Sequence, residues 1–240
     1  MEPENWKYYV LSFQGNNSKI SDLAKVANLT AIELEIGLQF LYHDEVGSFG
    51  IAKNPVHLSN YFLEMSHNDY INPDFITIND SHLQEIGLMY KLFCDLDKNK
   101  YPNIKKSIDM FNELKNLSHI SSFKNLALFT IIEFLITHKP VDTGDSITRQ
   151  VSTKIPLLSH RFSQEINYSQ FFQSASENTI WKKLYTYRSS IAHGSEPDFT
   201  KELSVLRDEA TVRKFLKFVV KKLLQHSLVE PQLYTDLKEC

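Results

Sequence analysis

In the last quarter of the chain the residues Tyr187 to Gly194 read YRSSIAHG. Arg188 is followed five residues later by His193, with the small polar Ser189 directly after the arginine and a glycine directly after the histidine. A histidine titrates near neutrality and can move a proton to or from an RNA 2′-hydroxyl or a 5′-leaving oxygen, while an arginine can hold the scissile phosphate as charge develops on it. That chemistry needs no metal. The same residues also read as a buried structural arginine and a helix stop. With five arginines and nine histidines in the chain, the bare spacing is expected by chance roughly once in two such sequences, so the setting has to carry the argument.

On a helix advancing about 100° per residue, Trp181, Leu184, Tyr185, Arg188, Ile191 and Ala192 fall on one stripe with Arg188 near its middle. The guanidinium is therefore expected to face protein, where it needs a carboxylate, a substrate phosphate or a second subunit. Glu133 is the natural carboxylate, because it interrupts the apolar run LALFTIIEFLI, Leu126 to Ile136, and itself needs a partner. His193 lies about 140° from Arg188 around one straight helix, so some further geometry must bring the two together. Gly194 predicts a stop through a left-handed residue, which leaves His193 on the last turn.

Further candidates are weaker. The segment ATVRKFLKFVVKKLLQH near the C-terminus sets Val212, Phe215, Leu216, Val219 and Leu223 against Arg213, Lys214, Lys217, Lys221 and Lys222. It reads as a packing helix with a solvated basic face, and Lys214, Lys217, Lys221 and Lys222 are the candidates for a phosphate-attracting rim. His43, Asp44, Glu45, His67 and Asp69 lack zinc-ligand spacing and sit at apparent helix ends or loops, so no metal site is assigned. Ser159-His160-Arg161 lacks the context of a catalytic triad. Seven glycines leave little material for a phosphate-binding loop, and no cofactor is implied.

The elements that must position these residues are mostly helical. Trp6 to Phe13 and Pro73 to Asp80 have the aromatic and β-branched texture of strands. Helical spacing begins in KISDLAKVANLT, a second helix is expected from Thr30 through Tyr42 with Thr30 and Glu33 at capping-box distance, and VGSFGIAKNPV reads as a hairpin or loop. From Ser81 onward the pattern predicts helices over 81–97, 104–116, 121–138, 146–162 (interrupted by Pro156), 178–193 and 208–228, with Thr137 to Ser146 as the clearest loop. The expected division is an N-terminal α/β accessory subdomain over residues 1–80 and a helical domain over residues 81–240.

Composition narrows the partners. A hydrophobic content of 42% supports a sizeable core, and a formal charge of −3 means that any nucleic-acid contact comes from a local patch. The strand-helix-helix outline near the N-terminus resembles a winged helix-turn-helix, but its recognition helix would carry Glu33 and Glu35 and no lysine or arginine. DNA binding is disfavoured accordingly. Two distant cysteines, Cys94 and Cys240, form no disulfide framework, and neither the N-terminus nor the apolar run fits a leader or a membrane span. The expectation is a soluble cytoplasmic protein.

The Glu-bearing apolar helix, the loop and helix after it, and IWKKLYTYRSSIAHG together resemble the ApeA-like branch of the HEPN superfamily (higher eukaryotes and prokaryotes nucleotide-binding), over roughly residues 103–228. The resemblance implies a helical bundle, often dimeric, in which arginine and histidine from two facing copies form one site for metal-independent RNA cleavage. Arg188 and His193 map onto that pair; Ser189 stands where many members carry a longer asparagine, aspartate or histidine, and Glu133 is a supporting residue. It also implies a toxin or antiviral defence role. Relatives include inactive dimerisation or nucleotide-binding modules, so a non-catalytic module that dimerises or binds a regulatory protein partner is the alternative.

Overall fold

The computed structural model describes residues 17–30, 41–43, 49–51, 79–114, 117, 121–140 and 144–239. They form a mainly helical bundle: α1 (Asn17–Ala27), a two-stranded antiparallel pair β1 (Leu41–His43) and β2 (Phe49–Ile51), then α2 (Asp80–Asp95), α3 (Pro102–Glu113), α4 (Ser122–Ile136), α5 (Ile147–Ser159), the short α6 (Ser169–Phe172), α7 (Glu177–Ala192), α8 (Glu209–Val229) and α9 (Pro231–Asp236). Leu41 pairs with Ile51 and His43 with Phe49.

The apolar run containing Glu133 becomes the central helix, α4. A helix apolar on all sides has to be surrounded, and α4 packs against α3, α5, α7 and α8. Leu128, Phe129, Ile131, Ile132, Leu135 and Ile136 are buried in consequence. The longest helix, α8, completes the core from the other side with Val212, Phe215, Leu216, Val219, Val220, Leu223 and Leu224. Phe215 is ringed by Tyr168, Phe171, Phe172 and Trp181 at centroid distances of 4.8 to 5.8 Å. The Trp181 indole N–H donates to the Tyr168 hydroxyl at 3.1 Å, which satisfies both buried polar tips.

Helix starts follow local capping chemistry. Asn79 accepts from the His82 N–H while the His82 ring accepts from the Asn79 N–H. Ser121, Ser146, Ser176 and Asp208 cap α4, α5, α7 and α8 with side-chain oxygens. Pro102 opens α3, where a missing N–H costs no intrahelical bond. At the far end of α4, the buried Lys154 ammonium donates to the carbonyls of Ile136 and Leu237 and so ties α4, α5 and the chain after α9 together.

The long helices from α2 to α8 fall where the sequence periodicity puts them. Two expectations change. Asn79 and Asp80 cap and begin α2 rather than ending a strand; the Asn79 side chain gives the helix N-terminus an acceptor that a strand would leave unused. Leu41 to His43 are strand, not the end of a helix begun at Thr30. The Thr30 hydroxyl donates back to the Ala27 carbonyl at 2.7 Å, and Glu33, its expected capping-box partner, lies outside the described residues. The expected strand over Trp6 to Phe13 and the body of the expected helix over residues 31–40 lie outside the described residues.

Helix α1 is part of the bundle's core. Val26 and Leu29 join the same apolar cluster as α4 and α8, Lys25 pairs with Asp109 of α3 at 2.6 Å, and Gln225 of α8 donates to the Leu29 carbonyl at 2.7 Å. Among the described residues no helix is long and apolar enough to cross a membrane.

Candidate active site

Helix α7 carries Arg188 and His193, and its packing decides how each is presented. Ile180, Trp181, Leu184 and Tyr187 are fully enclosed, while Tyr185, Arg188 and Ile191 are half-buried and Ser189 and Ala192 exposed. Arg188 therefore sits at the edge of the buried stripe, not at its middle. The stripe is turned toward Tyr187 because a polar network draws that residue inward. Asn125 of α4, itself fully buried, donates to the Tyr187 hydroxyl at 2.6 Å and to Glu209 of α8 at 2.9 Å. Tyr187 donates to Glu209 at 3.1 Å, and Arg213 donates to Asn125 at 3.2 Å and to Glu209 at 3.1 Å. Burial, with the Glu209 charge beside it, pushes the Tyr187 hydroxyl far above its ordinary pKa, so it stays a neutral donor.

On the neighbouring edge of α7 the guanidinium meets the acidic residue of α4. Arg188 Nε lies 2.8 Å from Glu133 Oε1, a charge contact, and Nη2 donates to Glu133 Oε2 at 3.1 Å. The side chains are 35% and 18% exposed, respectively. Glu133 thus holds one edge of the fork, and Arg188 Nη1 has no partner among the described residues. One turn back, Phe129 of α4 meets Tyr185 of α7 edge-on, with centroids 5.6 Å apart. Burial and the adjacent Glu133 carboxylate raise the Tyr185 hydroxyl pKa strongly, partly offset by Arg188. The Tyr185 hydroxyl, Glu133 Oε1 and Arg188 Nε are all buried without a well-formed hydrogen bond. Tyr185 was visible in the sequence only as a stripe residue; its place three residues before Arg188, as Phe129 stands four before Glu133, is the signal that pairs them.

The helix stop is as the sequence predicts. Gly194 adopts φ +72°, its N–H donates to the Ile191 carbonyl at 3.3 Å and the Ser195 N–H to the Ser190 carbonyl at 2.9 Å, which together make a Schellman motif. His193 is the C-cap residue and is exposed. Its side chain has no partner among the described residues, and within one chain Arg188 points into the α4–α7 seam while His193 stands at the helix end. Ser189 is exposed beside the seam.

The four lysines of α8 separate. Lys214 is exposed and Lys217 half-buried. Lys222 is half-buried with its ammonium 5.7 Å from the Phe218 ring centroid, and burial lowers its pKa. Lys221 is only 3% exposed and donates to the Thr30 carbonyl at 3.2 Å, so it does not belong to a solvated rim; it faces the bundle because α1 ends there with carbonyls to satisfy.

Ser159 to Arg161 are each engaged locally: the buried Ser159 Oγ accepts from the Ile166 N–H at 2.8 Å, while the exposed His160 faces Glu165 at 3.1 Å and the exposed Arg161 pairs with Glu230 at 2.6 Å. Among the described residues no group of His, Cys, Asp and Glu side chains is arranged to hold a metal ion; Asp44, Glu45, His67 and Asp69 lie outside them, as does the side chain of His43. Cys94 is a free, exposed thiol. No family model matches this chain, and neither a curated protein nor a solved structure does.

Proposed function

We propose that this chain is a HEPN-like, metal-independent endoribonuclease that works as a homodimer. The observation that carries the reading is the Arg188 fork: Glu133 fixes its Nε and Nη2 edge while Nη1 is left for a phosphate oxygen, on the helix whose end exposes His193. A guanidinium held this way meets developing phosphate charge without having to reorganise. His193 takes the 2′-hydroxyl proton as that oxygen attacks phosphorus. The P–O5′ bond breaks, the departing O5′ receives the proton that the His193 imidazolium gives up, and the products are a 2′,3′-cyclic phosphate and a 5′-hydroxyl end.

One chain separates the two residues around α7, and two facing copies of the α4–α7 seam bring one copy's His193 toward the other's Arg188. The half-exposed stripe of α4 that borders the seam, with Phe123 69% exposed, supplies an apolar surface for that contact. Lys214 and Lys217 give the RNA backbone its weak basic rim. The resemblance adds a cytoplasmic toxin or antiviral defence role restrained by a regulatory partner.

A second reading has its own support. Arg188 is paired to Glu133 within the chain, which is what a non-catalytic dimerisation or regulatory module would also use. Incubating wild type, Arg188→Ala and His193→Ala with a mixed RNA pool in excess EDTA separates the two. Cleavage lost in both variants, each still folded and equally oligomeric, is the nuclease outcome. An uncut pool with an intact dimer is the outcome of the second reading.

A further inference from the structure

Tyr185 lies on the Arg188 seam, and the chemistry above gives it no task. Its ring is fixed by the edge-on contact with Phe129, 5.6 Å between centroids, so the hydroxyl cannot swing out to water without losing that packing. A phenylalanine would fill the same space and avoid the cost of a buried, unpaired hydroxyl. The Glu133 carboxylate lies close enough to act on it, and Glu133 Oε1 and Arg188 Nε, 2.8 Å apart, are two more buried atoms short of a hydrogen bond. The three are complementary in kind: an O–H donor, an N–H donor and one carboxylate oxygen with lone pairs enough for both.

A phosphate at Nη1 pulls on the guanidinium, and of its two contacts with Glu133 the one least able to resist that pull is Nε to Oε1, which is close without being well aligned. Glu133 is then a half-buried carboxylate beside an incoming anion. Some donor has to hold it in place, and Tyr185 is the neighbouring group with a proton to give.

We infer that Tyr185 is a positioning residue: its unpaired hydroxyl is the donor that takes up Glu133 Oε1 as a phosphate pulls on Arg188, holding that carboxylate in place so that the Nη1 edge stays turned toward the phosphate. The inference rests on the reading of Arg188 as a phosphate contact. Tyr185 acts through Glu133 and does not itself touch the substrate.

The test is Tyr185→Phe in the full chain, read by the nitrogen-15 signal of the Arg188 Nε–H, identified by its loss in Arg188→Lys, and by affinity for a single-stranded RNA. Positioning predicts that Nε–H exchange with solvent speeds up and RNA affinity falls, each by about 2- to 10-fold, the range of a single hydrogen bond. An unchanged Nε–H signal together with a raised melting temperature overturns it, because that is how an idle buried hydroxyl behaves when removed. Should Tyr185→Phe fail to fold, Glu133→Gln carries the test from the other side. A shift of the Tyr185 Cζ carbon-13 signal in that variant supports the pair, and no shift overturns it. Wild type that neither binds nor cuts RNA would sink the nuclease reading, while the two spectroscopic signals would still decide whether Tyr185 positions Glu133.

Discussion

Glu133 and Arg188 meet across the α4–α7 seam with Nε 2.8 Å from Oε1 and Nη2 donating to Oε2 at 3.1 Å, and the two ends of the pair differ in access to water. Glu133 is 18% exposed and Arg188 35%. Removing the arginine strands the less hydrated partner, so Arg188→Ala should cost more stability than Glu133→Gln, about 1–3 kcal/mol against about 1 kcal/mol after allowing for solvent screening. Chemical denaturation of the two variants and of their combination measures this. Equal costs with no coupling would show that the pair contributes nothing to the fold.

The His193 side chain makes no hydrogen bond or ion pair among the described residues and is exposed, so His193→Ala should leave stability within about 0.5 kcal/mol of wild type. Under the proposed chemistry the same change lowers RNA cleavage by about 10²- to 10⁴-fold. Gly194→Ala behaves in the opposite way. No heavy atom lies within 4 Å of an added Cβ there, but φ is +72°, so the cost is conformational, about 1–2 kcal/mol, and Gly194→Asn should recover part of it. Melting curves for the three variants, next to cleavage rates, separate a helix stop from a proton carrier.

Much of this arrangement was legible in the sequence because it rests on local periodicity. The α4 run is apolar on every side, so its burial and the need of Glu133 for a cation could be argued from residue types, and Gly194 announced its own φ. What stayed hidden depends on distant partners. Arg188 lies at the edge of its stripe because Asn125 and Glu209, 62 and 22 residues away from Tyr187, pull that tyrosine inward. Lys221 looks like one more solvated lysine until α1, 191 residues earlier, ends against it. Neither fact has a signature within one helix turn.

The Asn125, Tyr187, Glu209 and Arg213 network joins α4, α7 and α8 around fully buried amide and phenol groups. Tyr187→Phe removes one member and leaves Asn125 and Arg213 still paired with Glu209, so a loss of about 1 kcal/mol is expected. Asn125→Leu takes away a donor and an acceptor together, leaving the Tyr187 hydroxyl with Glu209 alone and removing the amide oxygen that accepts from Arg213 Nε–H, and should cost about 2–4 kcal/mol. Denaturant midpoints that rank the two in the reverse order would remove the network as the reason for the orientation of α7.

The lysines of α8 predict a separation of stability from binding. Lys221→Met removes the donor to the Thr30 carbonyl at 3.2 Å and should destabilise by about 1–3 kcal/mol with little change in RNA affinity. Lys214→Gln and Lys217→Gln should do the reverse, each lowering the salt dependence of single-strand binding by about 0.7 in log–log slope if it neutralises one phosphate. Titrations at several salt concentrations read this directly; a salt slope that Lys221→Met changes and Lys214→Gln does not would reverse the assignment.

Acid stability turns on His226, which is 7% exposed, has Nδ1 3.2 Å from the Tyr234 hydroxyl and Nε2 3.5 Å from Glu230 Oε1. Burial lowers its pKa below 6.5, with Glu230 opposing and Arg161 adding to the shift. The folded state therefore favours the neutral ring, while below pH 6.5 the unfolded chain takes up the proton more readily. Stability should be fully present above that pH and decline as pH falls from 6.5 toward the lower folded-state value. Glu230, whose pKa is lowered from 4.5 chiefly by the Arg161 hydrogen bond, adds a second loss as pH drops below 4.5. His226→Gln keeps a side-chain polar group near Tyr234 and cannot titrate, so its melting temperature should vary less than that of wild type between pH 7 and 5, and parallel slopes for the two proteins over that interval would place the acid sensitivity elsewhere in the chain.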